Sequence, residues 1–229
     1  MRLAAATVAT FAWLHTHRLR LAALFVGVLG PLFLFGELAE EIREQEVLAF
    51  DEAILRFMHH HATPLLDRFL LFMSAAGSGL WVAPFDVLAC AFLLGRRRWI
   101  DALFWTLATG GAALLNVSAK LSFTRARPDL WPSLAPETSY SFPSGHAMQS
   151  MAVAVALIVL LWPTAARWPL LVLGAAFTFL VGTSRVYLGV HFPSDVLAGW
   201  CAALAWVVGL SFLFYRHAVR QRPGSTSRP

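Results

Sequence analysis

"SDVLAGWCAALAWVVGLSFLFY", residues 194–215, carries one charged side chain, Asp195, followed by twenty residues without another. As an α-helix these 22 residues rise about 33 Å, enough to cross a hydrocarbon core of about 30 Å. Five further stretches read the same way: about 19–37, 79–95, 99–121, 146–162 and 168–186. The expected fold class is therefore all-α, an integral membrane bundle of six transmembrane helices.

Composition agrees. The 229 residues are 58% hydrophobic and 14% charged, with a mean hydropathy of +0.63, where a soluble domain carries about 25% charged residues. Nine Trp and 18 Phe suit a chain with aromatic belts at both interfaces. The net charge of +5 punctuates apolar runs rather than gathering on one polar face, which points to topology and anionic lipid and not to nucleic acid. Cys90 and Cys201 lie inside apolar runs and read as small core residues, not as a disulfide or metal site.

Lys and Arg in short loops set the orientation. With the N-terminus inside, the inner side takes Arg18, Arg20, Arg96, Arg97, Arg98, Arg167, Arg216, Arg220 and Arg222. The outer side takes "ELAEEIREQE" (37–46) and the loops 122–145 and 187–193. Between the first two spans, Val47, Phe50, Ile54 and Phe57 recur at helical spacing with Asp51, Glu52 and Arg56 between them, an amphipathic helix on the outer interface. Residues 1–18 read as an uncleaved cytoplasmic or interfacial segment, 19–215 as the six-span domain, and 216–229 as a polar cytoplasmic tail. The short loops leave no added domain and no evident partner site.

Lys120, Arg125, Arg127 and Arg185 break the charge rule, since all lie toward the outer side. Cations at a membrane boundary are costly unless paired or binding an anion, and nearby acids are few: Asp129, Glu137 and Asp195. Converging Arg and Lys suit phosphate, the first as a bidentate fork and the second as a point charge. "PSGH" (143–146) reads as a helix start, with Ser144 at the N-cap and Gly145 allowing close approach. Its free N–H groups would face an anion, and His146 on the first turn is placed as a general acid. In "SRVYLGVHFPSD" (184–195), Asp195 stands four residues after His191 and can take one imidazole N–H, freeing the other nitrogen as a nucleophile.

Singly, each cluster has an ordinary structural reading: a snorkelling cation, an interfacial histidine, a turn. Three clusters on one face, all able to serve one phosphate, point to function. His59, His60 and His61 read as an interfacial polar patch, because adjacent helical residues cannot all reach one ion. Asp86 reads as paired within the bundle and Asp101 as an inner interfacial residue. Arg125 is expected at lipid head groups, and Trp131, Tyr140 and Phe142 around the site.

These residues carry a resemblance. "KLSFTRARP" (120–128), "PSGH" and "SRVYLGVHFPSD" match in order, without a substitution, the three-part signature of the type 2 phosphatidic acid phosphatase superfamily. The resemblance implies that His191 attacks phosphorus, Asp195 orients it and His146 protonates the leaving oxygen. Lys120, Arg127, Ser144, Gly145 and Arg185 would hold the phosphoryl oxygens, and no metal or other cofactor is implied. The implied activity is hydrolysis of a lipid phosphate or pyrophosphate through a phosphohistidine. Undecaprenyl pyrophosphate, phosphatidic acid and phosphatidylglycerophosphate are the candidate substrates, held in the outer leaflet of a bacterial inner membrane with the site facing the periplasm. The same residues leave open a lipid phosphotransferase, or lipid-phosphate binding or transport without catalysis. Vanadium haloperoxidases share the signature but are soluble and longer, unlike this apolar chain.

Overall fold

The computed structural model describes residues 21–22, 24–44 and 48–215. The expected segment 1–18, the first residues of the first span, Val47 and the tail 216–229 lie outside them. Among the described residues all regular secondary structure is helical, without strands. A π-helical turn, Phe25–Leu29, runs into α1 (Gly30–Arg43). There follow α2 (Ala49–His60), α3 (Pro64–Ala76), α4 (Gly79–Gly95), α5 (Trp99–Phe123), α6 (Gly145–Leu161), α7 (Arg167–Tyr187) and α8 (Pro193–Tyr215).

By length and composition α5, α7 and α8 can each cross a membrane. The α3–α4 pair makes a fourth span if the two, bent by 40° at their junction, are taken together. Helix α6 is apolar but has 17 residues. Thus four of the six expected spans answer to α4 (as part of the bent pair), α5, α7 and α8, while the first and fourth fall on shorter pieces. Helix α3 has no counterpart in the sequence reading. Thr63 caps it by accepting from Leu66 N at 3.3 Å, and Pro64 opens its first turn.

The core lies between α4, α5, α6 and α8. Phe104, Trp105 and Met148 supply its bulk, and Ala108, Ala112, Ala152, Ala156 and Ala203 line the contacts between helices. Small residues let helix backbones approach where lipid supplies no hydrophobic drive. Gly199 on α8 takes this furthest: a Cβ there would stand 2.7 Å from Ser144 O and 3.2 Å from Met148 N, so α6 and α8 touch backbone to backbone beside the motif. The outer surface is apolar instead. Leu80, Leu114, Val172 and Leu213 are each about two-thirds exposed or more, an arrangement that water does not tolerate over so wide an area. The protein is an integral membrane protein.

Cys90 and Cys201 are free, and each is half-buried rather than in the core. Asp101 pairs with Arg98 at 2.6 Å. Asp86 on α4 hydrogen-bonds the Thr109 side chain on α5, the expected pairing within the bundle; its Oδ1 is buried without a partner, and Trp105 Nε1 donates to its backbone carbonyl at 3.1 Å.

Candidate active site

One end of the bundle collects the unusual residues. Lys120 is in the last turn of α5. The helix then stops at Thr124, which takes the left-handed conformation at φ 47°. That sharp exit turns the chain into the loop 124–144, which carries Arg125, Arg127 and Glu137. The loop returns at Ser144, extended at the N-cap of α6, with Gly145 and His146 in its first turn. Arg185 is in the last turn of α7. Gly189, at φ +70°, reverses the chain toward His191, and Trp131 lies so close above it that a Cβ would meet its Nε1 at 2.8 Å. Pro193 opens α8, with Asp195 in its first turn. All eight residues expected to act on phosphate therefore come to one region.

Asp195 is held from every side. Its Oδ2 accepts from Phe192 N at 2.8 Å, from Ser141 Oγ, and from His191 Nδ1 at 3.4 Å. Its Oδ1 accepts from Arg125 at 2.5 Å. On the far side of the His191 ring, Nε2 lies 3.1 Å from an Arg127 nitrogen. Arg has only donors, so Nε2 is the acceptor and the ring proton sits on Nδ1, toward Asp195. His191 is fully buried. Burial pushes its imidazole down to about 4, against the pull of the Asp195 carboxylate and with the help of Arg127 and Arg185. At neutral pH it holds a lone pair on Nε2, aimed into the cluster of cations.

That cluster is organised by Glu137. Its carboxylate accepts from Arg127 at 2.8 Å and from Arg185, and lies 3.9 Å from His146 Nδ1. Burial alone would raise this carboxyl, but Arg185 and Arg127 outweigh it and hold it below the usual carboxylate value. Arg185 also donates to Ser74 Oγ on α3. Arg127 donates to the backbone oxygens of Ser139 and Val190, both at 2.6 Å. Lys120 Nζ donates to Ser139 Oγ at 2.9 Å. Ser144 occupies the expected N-cap position, yet its buried hydroxyl bonds nothing. Asn116 closes the floor: its Nδ2 donates to Pro143 O at 3.0 Å, and its Oδ1 would lie 3.0 Å from a Cβ at Gly145.

Two expectations change. Arg125 does not face head groups; it pairs with the buried carboxylates of Asp51 and Asp195. Phe142 does not line the site: it is fully buried and packs on Phe35 and Phe123. Trp131 lies over Gly189 and stacks on His59, with ring centroids 4.0 Å apart. The sequence had shown no role for Ser74, Asn116, Ser139 or Ser141, and had placed Asp51 only as a charge between apolar positions. No periodicity or spacing marks them, since each acts across the fold.

Known proteins are similar to this chain over most of its length. A phosphatidylglycerophosphatase B of Bacillus subtilis is 34% identical over 179 residues, 76% of this chain and 88% of the relative. An undecaprenyl-diphosphatase of Sulfolobus acidocaldarius is 29% identical over 172 residues, 73% and 79% of the two chains. The crystal structure of a transmembrane PAP2-type phosphatidylglycerolphosphate phosphatase from Bacillus subtilis superposes with a TM-score of 0.73 at 30% identity, over 86% of this chain and 98% of that one. Residues 98–219 match the PAP2 superfamily. With all three signature clusters inside or beside that match and gathered at one end of the fold, the chain belongs to the PAP2 superfamily.

Proposed function

We propose that the protein is a lipid phosphatase that works through a phosphohistidine on His191. The observation that carries this reading is the placement of His191 Nε2, unprotonated and facing the guanidinium of Arg127, while its other nitrogen faces Asp195. In the first step the Nε2 lone pair attacks phosphorus and the bond from phosphorus to the lipid-side oxygen breaks. That oxygen keeps the electron pair and takes a proton from His146. Asp195 balances the charge that the ring gains. Lys120, Arg127, Arg185, the Ser144 hydroxyl and the N–H groups at the start of α6 hold the phosphoryl oxygens, where preorganised donors lower the barrier most. In the second step water attacks phosphorus, gives its proton to His146 and releases His191.

Names of relatives support a membrane lipid phosphate or diphosphate as substrate: a phosphatidylglycerophosphatase and an undecaprenyl-diphosphatase both align over most of the chain. In the full layout proposed here, α1 with the π-helical turn before it forms the first span, α6 the fourth, and α2 lies along the outer interface. The helix ends support the orientation. Arg98 caps α5 and Arg167 starts α7, at the opposite ends from Lys120 and Arg185. Phe50, Ile54 and Phe57 of α2 are exposed while Asp51 and Leu55 are buried, as an interfacial helix requires. The site then faces outward, toward the periplasm of a bacterial inner membrane, and takes lipid from the outer leaflet.

The test is phosphate release by the purified protein from phosphatidylglycerophosphate, phosphatidic acid and undecaprenyl pyrophosphate, with chelator present. Release that disappears in His191→Ala supports the reading. No release, or undiminished release by His191→Ala, refutes it. Labelled phosphate that passes to an added lipid acceptor rather than to water would mark a phosphotransferase.

A further inference from the structure

Asp51 is a wholly buried carboxylate on α2, outside the three signature clusters. Its Oδ1 accepts from Ser194 N at 2.9 Å, and its Oδ2 accepts from Ser194 Oγ at 2.5 Å and from Arg125 at 2.9 Å. Arg125 uses its other terminal nitrogen for Asp195 Oδ1, at 2.5 Å, and for Ser194 Oγ, at 2.8 Å. One guanidinium is thus shared between two carboxylates that are both sealed from solvent. The Phe192 ring, 4.1 Å from the guanidinium carbon, fixes its plane. Only the planar fork of arginine can serve both acids at once.

We propose that Asp51 is a positioning residue for the reaction: it anchors Arg125 and the first turn of α8, and thereby fixes the Asp195 carboxylate against His191. Two physical effects act together. Asp51 satisfies Ser194 N–H, a first-turn donor that α8 itself cannot pair, one residue before Asp195. It also competes for Arg125. Without its charge the guanidinium would pair with Asp195 alone, turning that carboxylate away from the imidazole it has to orient. A partner of this kind, one contact removed from the reacting ring, is worth about 10–100-fold in activity. The inference rests on the reading of His191 as the nucleophile.

The test is steady-state kinetics of the full-length protein on whichever of the three lipids named above it hydrolyses fastest. Asp51→Asn keeps the shape and the acceptor for Ser194 N while removing the charge. The expected result is a kcat lower by about 10–100-fold with KM within about twofold. Arg125→Lys should give a similar loss, and the double variant should be no worse than the poorer single one, because both break one linkage. A folded Asp51→Asn protein with wild-type kcat, additive losses in the double variant, or a loss confined to KM overturns the inference. If Asp51→Asn does not elute as a folded protein, Arg125→Lys and Ser194→Ala take its place, with the same kcat-only loss expected and wild-type kcat in both overturning it. The two readings fail separately. Wild-type activity that His191→Ala abolishes and Asp51→Asn leaves intact removes only the role of Asp51. A wild-type protein without activity on any of the three lipids removes the reading of the site and this inference with it.

Discussion

Glu137 reaches across from its loop to bridge Arg127 and Arg185, so a carboxylate of the protein itself lies between the two guanidinium groups best placed to hold a phosphate. Under the proposed function a substrate phosphoryl group has to displace it. Glu137→Gln removes the competing charge and keeps the shape. Its inhibition constant for orthovanadate or inorganic phosphate should fall by about two- to fivefold, the worth of one partly exposed ion pair. An unchanged or higher constant would show that Glu137 does not contend for the seat.

The depressed imidazole of His191 fixes the acid side of the pH profile. Protonation removes the lone pair of the nucleophile, so the limb of kcat/KM that reports His191 should be centred near pH 4. A limb centred near 6.5, the ordinary histidine value, would contradict the buried, neutral ring. Asp195 pulls that value upward, so Asp195→Asn should shift the limb to lower pH. The same variant should cut kcat by about 10²–10⁴-fold, through loss of the tautomer that exposes Nε2.

Gly199 tests the coupling between helix packing and the site. Gly199→Ala puts a methyl against the Ser144 carbonyl and the Met148 amide, and neither backbone group can swing aside. The expected cost is about 1–3 kcal/mol, as for other overpacked contacts, seen as a lower thermal midpoint in detergent. Activity should fall with it, because the displaced residue is the N-cap beside His146. Gly209→Ala is the control, since nothing lies within 4 Å of a Cβ there; its midpoint should stay near that of wild type.

The proposed orientation is checked by labelling single cysteines in a background lacking Cys90 and Cys201. A cysteine at Leu134, 60% exposed on the site-bearing loop, should react with an impermeant maleimide in intact cells. One at Arg97, in the turn at the opposite end of α5, should react only after the membrane is opened. The reverse pattern would invert the topology.

Much of the site was legible because its residues violate a strong local rule. Lys120, Arg127 and Arg185 stand where an apolar chain should carry no outer cations, and His191 and Asp195 sit one helical turn apart at a proline-marked start. The supporting residues break no such rule. Ser141 and Asn116 are ordinary polar residues until the fold brings them to Asp195 and Pro143. Arg125 was misread because its neighbours in sequence suggest a loop facing head groups, whereas its partners lie on α2 and α8. Helix α3 escaped notice because 13 residues containing Asp67 and Arg68 are too short and too charged to read as a span; its break from α4 makes the two a bent pair. The Asp51 side chain was assigned to the polar side of an amphipathic helix. It is instead the buried one, since Phe50, Ile54 and Phe57 face outward.

Lys120, His146, Arg185 and Asp195 each lie within one turn of a helix end, all at the same end of the bundle. The apolar stems below them bear none of the groups proposed to act on phosphate. A turn added or removed at the far end of α5 or α7 would change the thickness of bilayer the protein fits and leave the arrangement of the acting groups untouched. Matching to a host membrane and chemistry at the phosphate are thus separable properties of one chain, open to independent adjustment.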